Sequence, residues 1–203
     1  VVVELDPDRP PRVQINDEAK IVAHVQATRQ IGAGEEVTEA DFDEVLAVAH
    51  QDVGPNSGYV SFAVIQGKQY LRFDFRYNKQ RVVGLLDRAR EFFETARDCY
   101  AVRPAVACDL AFSAAELSVQ AQMLLMQQRT KSHIQRRDWL ESWAEHENAP
   151  AEHAAALRRL HQNRAAGRYA DVPFVVDQQE LSALLDEVES MLETAVARSG
   201  RDA

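Results

Sequence analysis

No glycine occurs between Gly84 and Gly167, whereas five of the eight glycines fall between Gly32 and Gly67. Glycine inside a helix costs roughly 1 kcal/mol relative to alanine. So long a stretch without it suits a run of long helices, and the glycine-dense part before it suits strands and turns. The chain is therefore expected to be α+β. A small N-terminal β-rich module would occupy residues 1–78, followed by an all-α bundle of four or five helices over 79–200.

Within the first part, Pro7, Pro10 and Pro11 mark an extended lead-in. Val13 and Ile15 alternate with polar neighbours as a short strand, and Ile21 to Val25 reads as a second. Thr38-Glu39-Ala40-Asp41 has the form of a capping box, and Phe42, Val45, Leu46 and Ala49 follow at helical spacing, so a short helix is expected there. Gly54 to Gly58 is a loop by composition. Tyr59 to Ile65 is rich in β-formers, Gln66-Gly67-Lys68 makes a turn, and Leu71, Phe73, Phe75 and Tyr77 alternate with Arg72, Asp74 and Arg76. That period of two predicts a hairpin with one buried face. The module reads ββαββ, and its small size predicts that it packs on the helices to remain folded.

From Gln80 the period lengthens. Val83, Leu86 and Phe93 mark a first helix over 79–100, and Arg103-Pro104 breaks it. Proline suits the first turn of the next helix, which runs over 104–128 through Ala107, Ala111, Ala114, Leu117, Ala121 and Leu124. Its small residues allow close approach by a neighbour. A third helix covers 132–147 with Ile134, Trp139, Leu140 and Trp143, the two tryptophans reading as core. Pro150 opens a fourth, reaching Tyr169. After a loop from Ala170 to Val176, Asp177 caps a fifth that ends near Arg198 before Gly200, with Glu180 at the capping-box position.

The net charge of −9 bears on partners. Residues 1–79 hold 8 basic and 13 acidic side chains and residues 80–203 hold 15 and 19, so neither part is a basic module, and polyanion binding needs a local patch. No apolar run approaches the ~20 residues of a membrane span, and no membrane role is expected. The start, Val1-Val2-Val3-Glu4, has no basic n-region or long apolar h-region, so no secretory signal is expected and the location reads as cytoplasmic. Cys99 and Cys108 read as buried apolar side chains. The histidines match no metal-ligand spacing, so neither metal nor cofactor is expected. No GxxxxGK[ST], GxGxxG or GxSxG is present, which leaves kinase, dehydrogenase and hydrolase readings without support.

In order, Ala111 to Ala121, Thr130-Lys131-Ser132-His133 and Arg168-Tyr169-Ala170-Asp171 are similar to the "AAE-x-x-x-K-A", "K-T-H" and "R-Y-P-D" elements of the HEPN domain family. The resemblance covers the helical part. It implies a bundle that often dimerises, and in many members a metal-independent RNase with an Arg-x4–6-His motif on a late helix, the RNA supplying its own 2′-hydroxyl nucleophile. Other members bind nucleotides or support a partner. Here the motif's positions are Gln162 and Gly167, so arginine and histidine are both missing. In the first module, Ile31 to Asp41 is similar to a turn of SAF-type β-clip domains, a string that a turn followed by a capped helix also produces.

Two groups are the candidate sites. His161, Arg164 and Arg168 lie at i, i+3 and i+7 on one helical face, either as a phosphate-binding strip or as a solvated surface. Arg129, Lys131, His133, Arg136 and Arg137 form the densest basic cluster, placed for RNA or nucleotide phosphate contact or as an exposed first turn. Histidine can move protons near neutral pH, which makes His133, His161, Arg164 and Arg168 the candidates for a rearranged catalytic site. The resemblance implies a HEPN-like accessory or binding protein without the usual RNase motif. It would be a homodimer or bound to a protein partner, in a prokaryotic RNA-related defence or toxin–antitoxin-like system. The alternatives are a metal-independent endoribonuclease and a structural protein–protein interaction module.

Overall fold

The computed structural model describes residues 1–169 and 171–200. The chain divides into two compact units, Val1–Tyr77 and Asn78–Ala203.

The first unit is built from strands: β1 (Val2–Leu5), β2 (Arg12–Gln14), β3 (Ile21–Ala27), β4 (Phe42–His50), β5 (Gly58–Ile65) and β6 (Lys68–Asp74). They form a four-stranded antiparallel sheet in the order β2-β1-β5-β6 and a separate β3-β4 pair. The expected hairpin is β5-β6. Gln66 and Gly67 both take positive φ, 51° and 72°, the backbone a two-residue hairpin turn requires.

Three expectations fail in this unit. The proline-rich lead-in contains β1, an inner strand of its sheet, whose Val2 is 3% exposed. The helix expected after Thr38 is a strand. The capping residues do engage, Asp41 Oδ2 accepting from the Thr38 N–H at 2.9 Å, but they close a single 3-10 turn at Glu39–Asp41. Phe42 to His50 then pairs with β3, with irregularities in register between His24 and Val25 and between Gln26 and Ala27. Apolar residues at 42, 45, 46 and 49 have helical spacing, yet cross-strand pairing with β3 decided, and the strand buries Phe42 and Val48 instead. The apolar face of β6 is also not buried: Leu71 is 65% exposed, Phe73 62% and Phe75 53%. The opposite face packs inward instead, where the Arg72 guanidinium donates to the Val48 carbonyl of β4.

The second unit is the expected bundle: α1 (Lys79–Cys99), α2 (Pro104–Leu125), α3 (His133–Glu145), α4 (Ala151–Asn163), a single turn α5 (Ala165–Arg168) and α6 (Gln178–Ser199). Helix α1 starts from Asn78 in the left-handed region (φ 54°), a conformation asparagine tolerates. The Asn78 amide is buried and donates to the Leu124 carbonyl at 3.1 Å. Ser132 caps α3 by accepting from Gln135 N–H at 3.3 Å, and Asp177 caps α6 by accepting from Glu180 N–H at 2.8 Å. The fourth helix, expected to run unbroken to Tyr169, breaks at Arg164. Ala170, the first residue of the expected loop, lies outside the described residues.

Helix α2 is the axis of the bundle. It is apolar nearly all round, the signature of a central helix, and packs against α1, α3, α4, α5 and α6. Ala107, Ala111, Ala114 and Ala115 are fully buried, so the neighbouring helices approach closely, as their size predicted. Leu140, Leu157, Leu160, Leu181 and Leu185 fill the space around them. Cys108 is buried among them and its thiol is pushed up to about 12, chiefly by desolvation. Trp139 and Trp143 are half-buried and stack on each other at 4.9 Å. Of the two, only Trp139 packs against the main core. Among the described residues no helix is long and apolar enough to cross a membrane.

Candidate functional site

The residues of α2 that matter lie on one stripe. Asp109, Phe112, Glu116, Gln120 and Met123 recur every three or four residues, so they stack along one side of the helix. The N-terminus of α3 and the α4–α5 segment cross this stripe.

Glu116 is the anchor. Its carboxylate is 8% exposed, inside an alanine-rich helix, where a charge without a partner is costly. Arg136 on α3 supplies the counter-charge, Nη1 lying 3.0 Å from Oε1. Arg136 is itself 8% exposed and also donates to the Thr130 carbonyl at 3.1 Å. It therefore faces inward, not outward with the basic cluster in which the sequence placed it. The same carboxylate oxygen bonds Nδ1 of His133. That bond fixes the ring so that Nε2 is the nitrogen turned away from Glu116.

Phe112, one turn earlier on α2, gathers the remaining groups. The His133 ring lies 6.1 Å from its centroid and His161 of α4 lies 5.5 Å away. The Arg164 guanidinium sits 4.6 Å over its face, within cation–π range. Burial lowers the His161 pKa, and the nearby charges of Arg164, Arg137 and His133 lower it further against an opposing effect of Glu116. A shallow pocket is lined by Phe112, Glu116, His133, Arg137, Leu157 and His161. Residues up to 49 positions apart in the chain thus share one pocket, and the two candidate histidines, from different helices, are neighbours.

Arg168 lies one turn further along. Its Nε is 2.9 Å from both carboxylate oxygens of Asp109, so α2 holds it in place. Gly167 explains why this turn sits so close to α2. A Cβ added there would lie 2.5 Å from the Ala105 carbonyl oxygen and 3.1 Å from the Asp109 Cβ. Gly167 is the position at which the usual motif would carry its histidine, and α5 packs too tightly on α2 there for any side chain.

The basic cluster of residues 129–137 is split by the fold. His133 and Arg137 line the pocket and Arg136 points into the core. Arg129 and Lys131 turn instead toward a separate cleft of about 570 Å³ beside Arg81, Leu85, Gln120 and Met123. The cleft is the larger space, yet the titratable groups converge at the smaller pocket, which is where proton chemistry could occur. Glu116 lines the pocket and Gln120 the cleft, four residues further on, so the two are separated by about 6 Å of helix rise. Among the described residues no three His, Cys, Asp or Glu side chains gather as a metal site.

Phe112, Glu116, Asp109 and Arg81 were not singled out from sequence. Glu116 had a readable signal, a carboxylate directly after Ala114 and Ala115 in an alanine-rich helix. Phe112 had none, because an aromatic residue in a central helix reads as ordinary core.

Comparison with curated proteins finds no match. The family model of the HEPN domain matches residues 82–199, from the first turn of α1 to the end of α6. The match spans more than half of the chain and the whole of the bundle just described, and the protein belongs to the HEPN domain family.

Proposed function

We propose that the pocket around Phe112 binds the phosphate backbone of single-stranded RNA, and that the protein is a HEPN accessory or binding protein without the usual RNase motif. The observation that carries this reading is the convergence of His133, His161, Arg137 and Arg164 on one α2 face of an otherwise acidic protein. Arg164, held over Phe112, and Arg137, at the rim, supply fixed positive charge. The first backbone N–H groups of α3 add donors at its positive dipole end. The cleft with Arg81, Arg129 and Lys131 lies further along the same stripe and gives the strand somewhere to continue. A prokaryotic RNA-related defence or toxin–antitoxin-like setting fits this reading and rests on family analogy.

Binding of this kind is salt-dependent, because each neutralised phosphate releases counterions. Affinity for a short single-stranded RNA is expected to fall as salt rises, with a shallower slope in Arg137→Ala and Arg164→Ala. Affinity is also expected to rise as pH falls below about 6.5, since a bound phosphate favours the protonated His161 that the free protein disfavours. Absence of any salt-dependent RNA affinity would leave a structural interaction module as the surviving reading.

The histidine pair favours a second reading, metal-independent endoribonuclease. With its pKa lowered, His161 is neutral near pH 7, the state a general base needs. It would take the proton of the RNA 2′-hydroxyl. The 2′-oxygen would then attack the adjacent phosphorus to give a 2′,3′-cyclic phosphate, with Arg164 balancing charge. His133, oriented by Glu116, would give a proton from Nε2 to the departing 5′-oxygen. Cleavage in chelator that disappears in both His133→Ala and His161→Ala would establish this chemistry, and uncleaved but bound RNA would leave the binding reading in place.

A further inference from the structure

The strongest unexplained feature lies in the other unit. Strand pairing in the four-stranded sheet places Val13, Val3, Val60 and Phe73 in one row across all four strands. The next row along β5-β6 is Phe62 opposite Leu71. Because side chains alternate across a strand, all of these share one face, and Val64 and Phe75 continue it at either end. The other face holds Val2 and Ser61, which are 3% and 5% exposed, and is turned toward β4. The first face is open: Val13 is 57% exposed, Phe62 42%, Val64 57%, Leu71 65%, Phe73 62% and Phe75 53%.

We infer that this sheet face is a self-association surface, covered by the same face of a second copy of the chain. Size is the first argument. An aromatic side chain presents roughly 150–250 Å² and the aliphatic ones somewhat less, so the six side chains together leave roughly 600 Å² uncovered. That is at the top of the ~300–600 Å² range for the largest patch on a monomer, and near the ~800 Å² each partner contributes to a standard interface. Chemistry is the second. The paired rows carry no charged side chain, so the face offers nothing to RNA phosphates or to a charged partner.

Matching is the third argument. The exposed large apolar residues of the bundle, such as Val102, Ile134 and Val175, are scattered over the α1–α2 turn, α3 and the segment before α6. Among the described residues, the surface that matches the open sheet face in extent and neutrality is that face itself. A face that is its own best complement suits a two-fold isologous contact, two sheets stacking about 10 Å apart with strands roughly 30° from parallel.

The test is sedimentation velocity on the full chain across a concentration series, comparing wild type with Leu71→Lys, Phe73→Lys and, as a control at an exposed turn, Val102→Lys. All three positions are solvent-facing in the single chain, and far-UV circular dichroism checks that each variant keeps its strands and helices. The expected result is an associated wild type and Val102→Lys, with about tenfold or greater weakening of association and a halved mass in both sheet variants, because an unpaired lysine is forced into an apolar contact. A wild type that stays monomeric at every concentration would overturn the inference. So would sheet variants that fold and keep the wild-type mass, since the copies would then meet elsewhere. Neither outcome bears on RNA binding by the bundle.

Discussion

The two units bury their apolar residues in opposite ways. The bundle encloses them around α2, with Leu160, Leu181 and Leu185 fully buried, and places its few buried charges in pairs. The β unit hides one face of a sheet and leaves the more apolar face open. A helix whose neighbours wrap it settles its own inside. A sheet has two sides, and period-two patterning separates them without saying which one the rest of the protein covers. The physical cost of a change should therefore differ sharply between the units.

The largest effect is expected at Glu116. Removing one partner of a buried ion pair typically costs about 3–5 kcal/mol, because the other charge stays buried and uncompensated. Glu116→Ala would strand Arg136 and also free His133. By contrast, the Arg29–Asp41 pair of the β unit, 2.7 Å apart with the Arg29 side chain 43% exposed, lies at the surface, where water and salt screen the attraction and breaking it costs far less. Denaturant titration of both single variants checks the contrast. Replacing Glu116 and Arg136 together by leucine and methionine sharpens it: the double variant should recover most of the stability while losing the fixed orientation of His133. Equal losses from Glu116→Ala and Asp41→Ala would remove the distinction between the units.

Core truncation comes next. Leu185→Ala, at a fully buried position, is expected to cost about 2–5 kcal/mol. Leu71→Ala, at a position 65% exposed, is expected to stay within about 0.5 kcal/mol in the dissociated chain. The useful measurement is thermal unfolding at two protein concentrations. A loss for Leu71→Ala that grows with concentration would mean that association covers the side chain, whereas a loss of core size at high dilution would mean that the chain covers it by itself.

This asymmetry also explains what could be read from the sequence. The bundle was legible because its signals are local and mutually consistent: Pro104 at a helix start, Asp177 as a cap, Gly200 as a stop, and alanines where helices meet. The break at Arg164 was missed because the close contact that forces it, Gly167 against Ala105, joins segments about 60 residues apart. In the β unit the segment Phe42 to His50 reads as a helix because the spacing of Phe42, Val45, Leu46 and Ala49 is helical, and only pairing with β3, distant in sequence, makes it a strand. The site was half legible. The chemistry of His133, His161, Arg164 and Arg168 shows in their types. That His133 and His161 meet over Phe112, and that Arg136 turns inward to Glu116, depends on how α3 and α4 cross α2.

The smallest expected effect, and the one that compares the units on equal terms, is on the acid side. His153 is 2% exposed, with Nε2 3.1 Å from the Ser190 hydroxyl. Its pKa is lowered first by burial and then by the charge of Arg198, against a small opposing effect of Glu152. In the β unit, burial followed by the charge of Arg72 lowers the pKa of His50 in the same direction. For a histidine disfavoured as a cation in the folded state, the unfolded chain binds more protons between the two pKa values. Its contribution is therefore intact above the unfolded value near 6.5 and is lost as pH falls below that. The carboxylates act lower: Asp41, held down to about 2 by Arg29 and by Thr38, loses its contribution only as pH falls below the ordinary range near 4. Unfolding free energy measured between pH 7.5 and 5 should thus decline before any carboxylate titrates. His153→Gln, which can keep a bond to Ser190 without taking up a proton, should remove its own share of that decline while leaving the shares of His50 and His161. A decline unchanged in His153→Gln would assign it to His50 and His161, and would mean that the buried ring of α4 opens to water before the bundle unfolds.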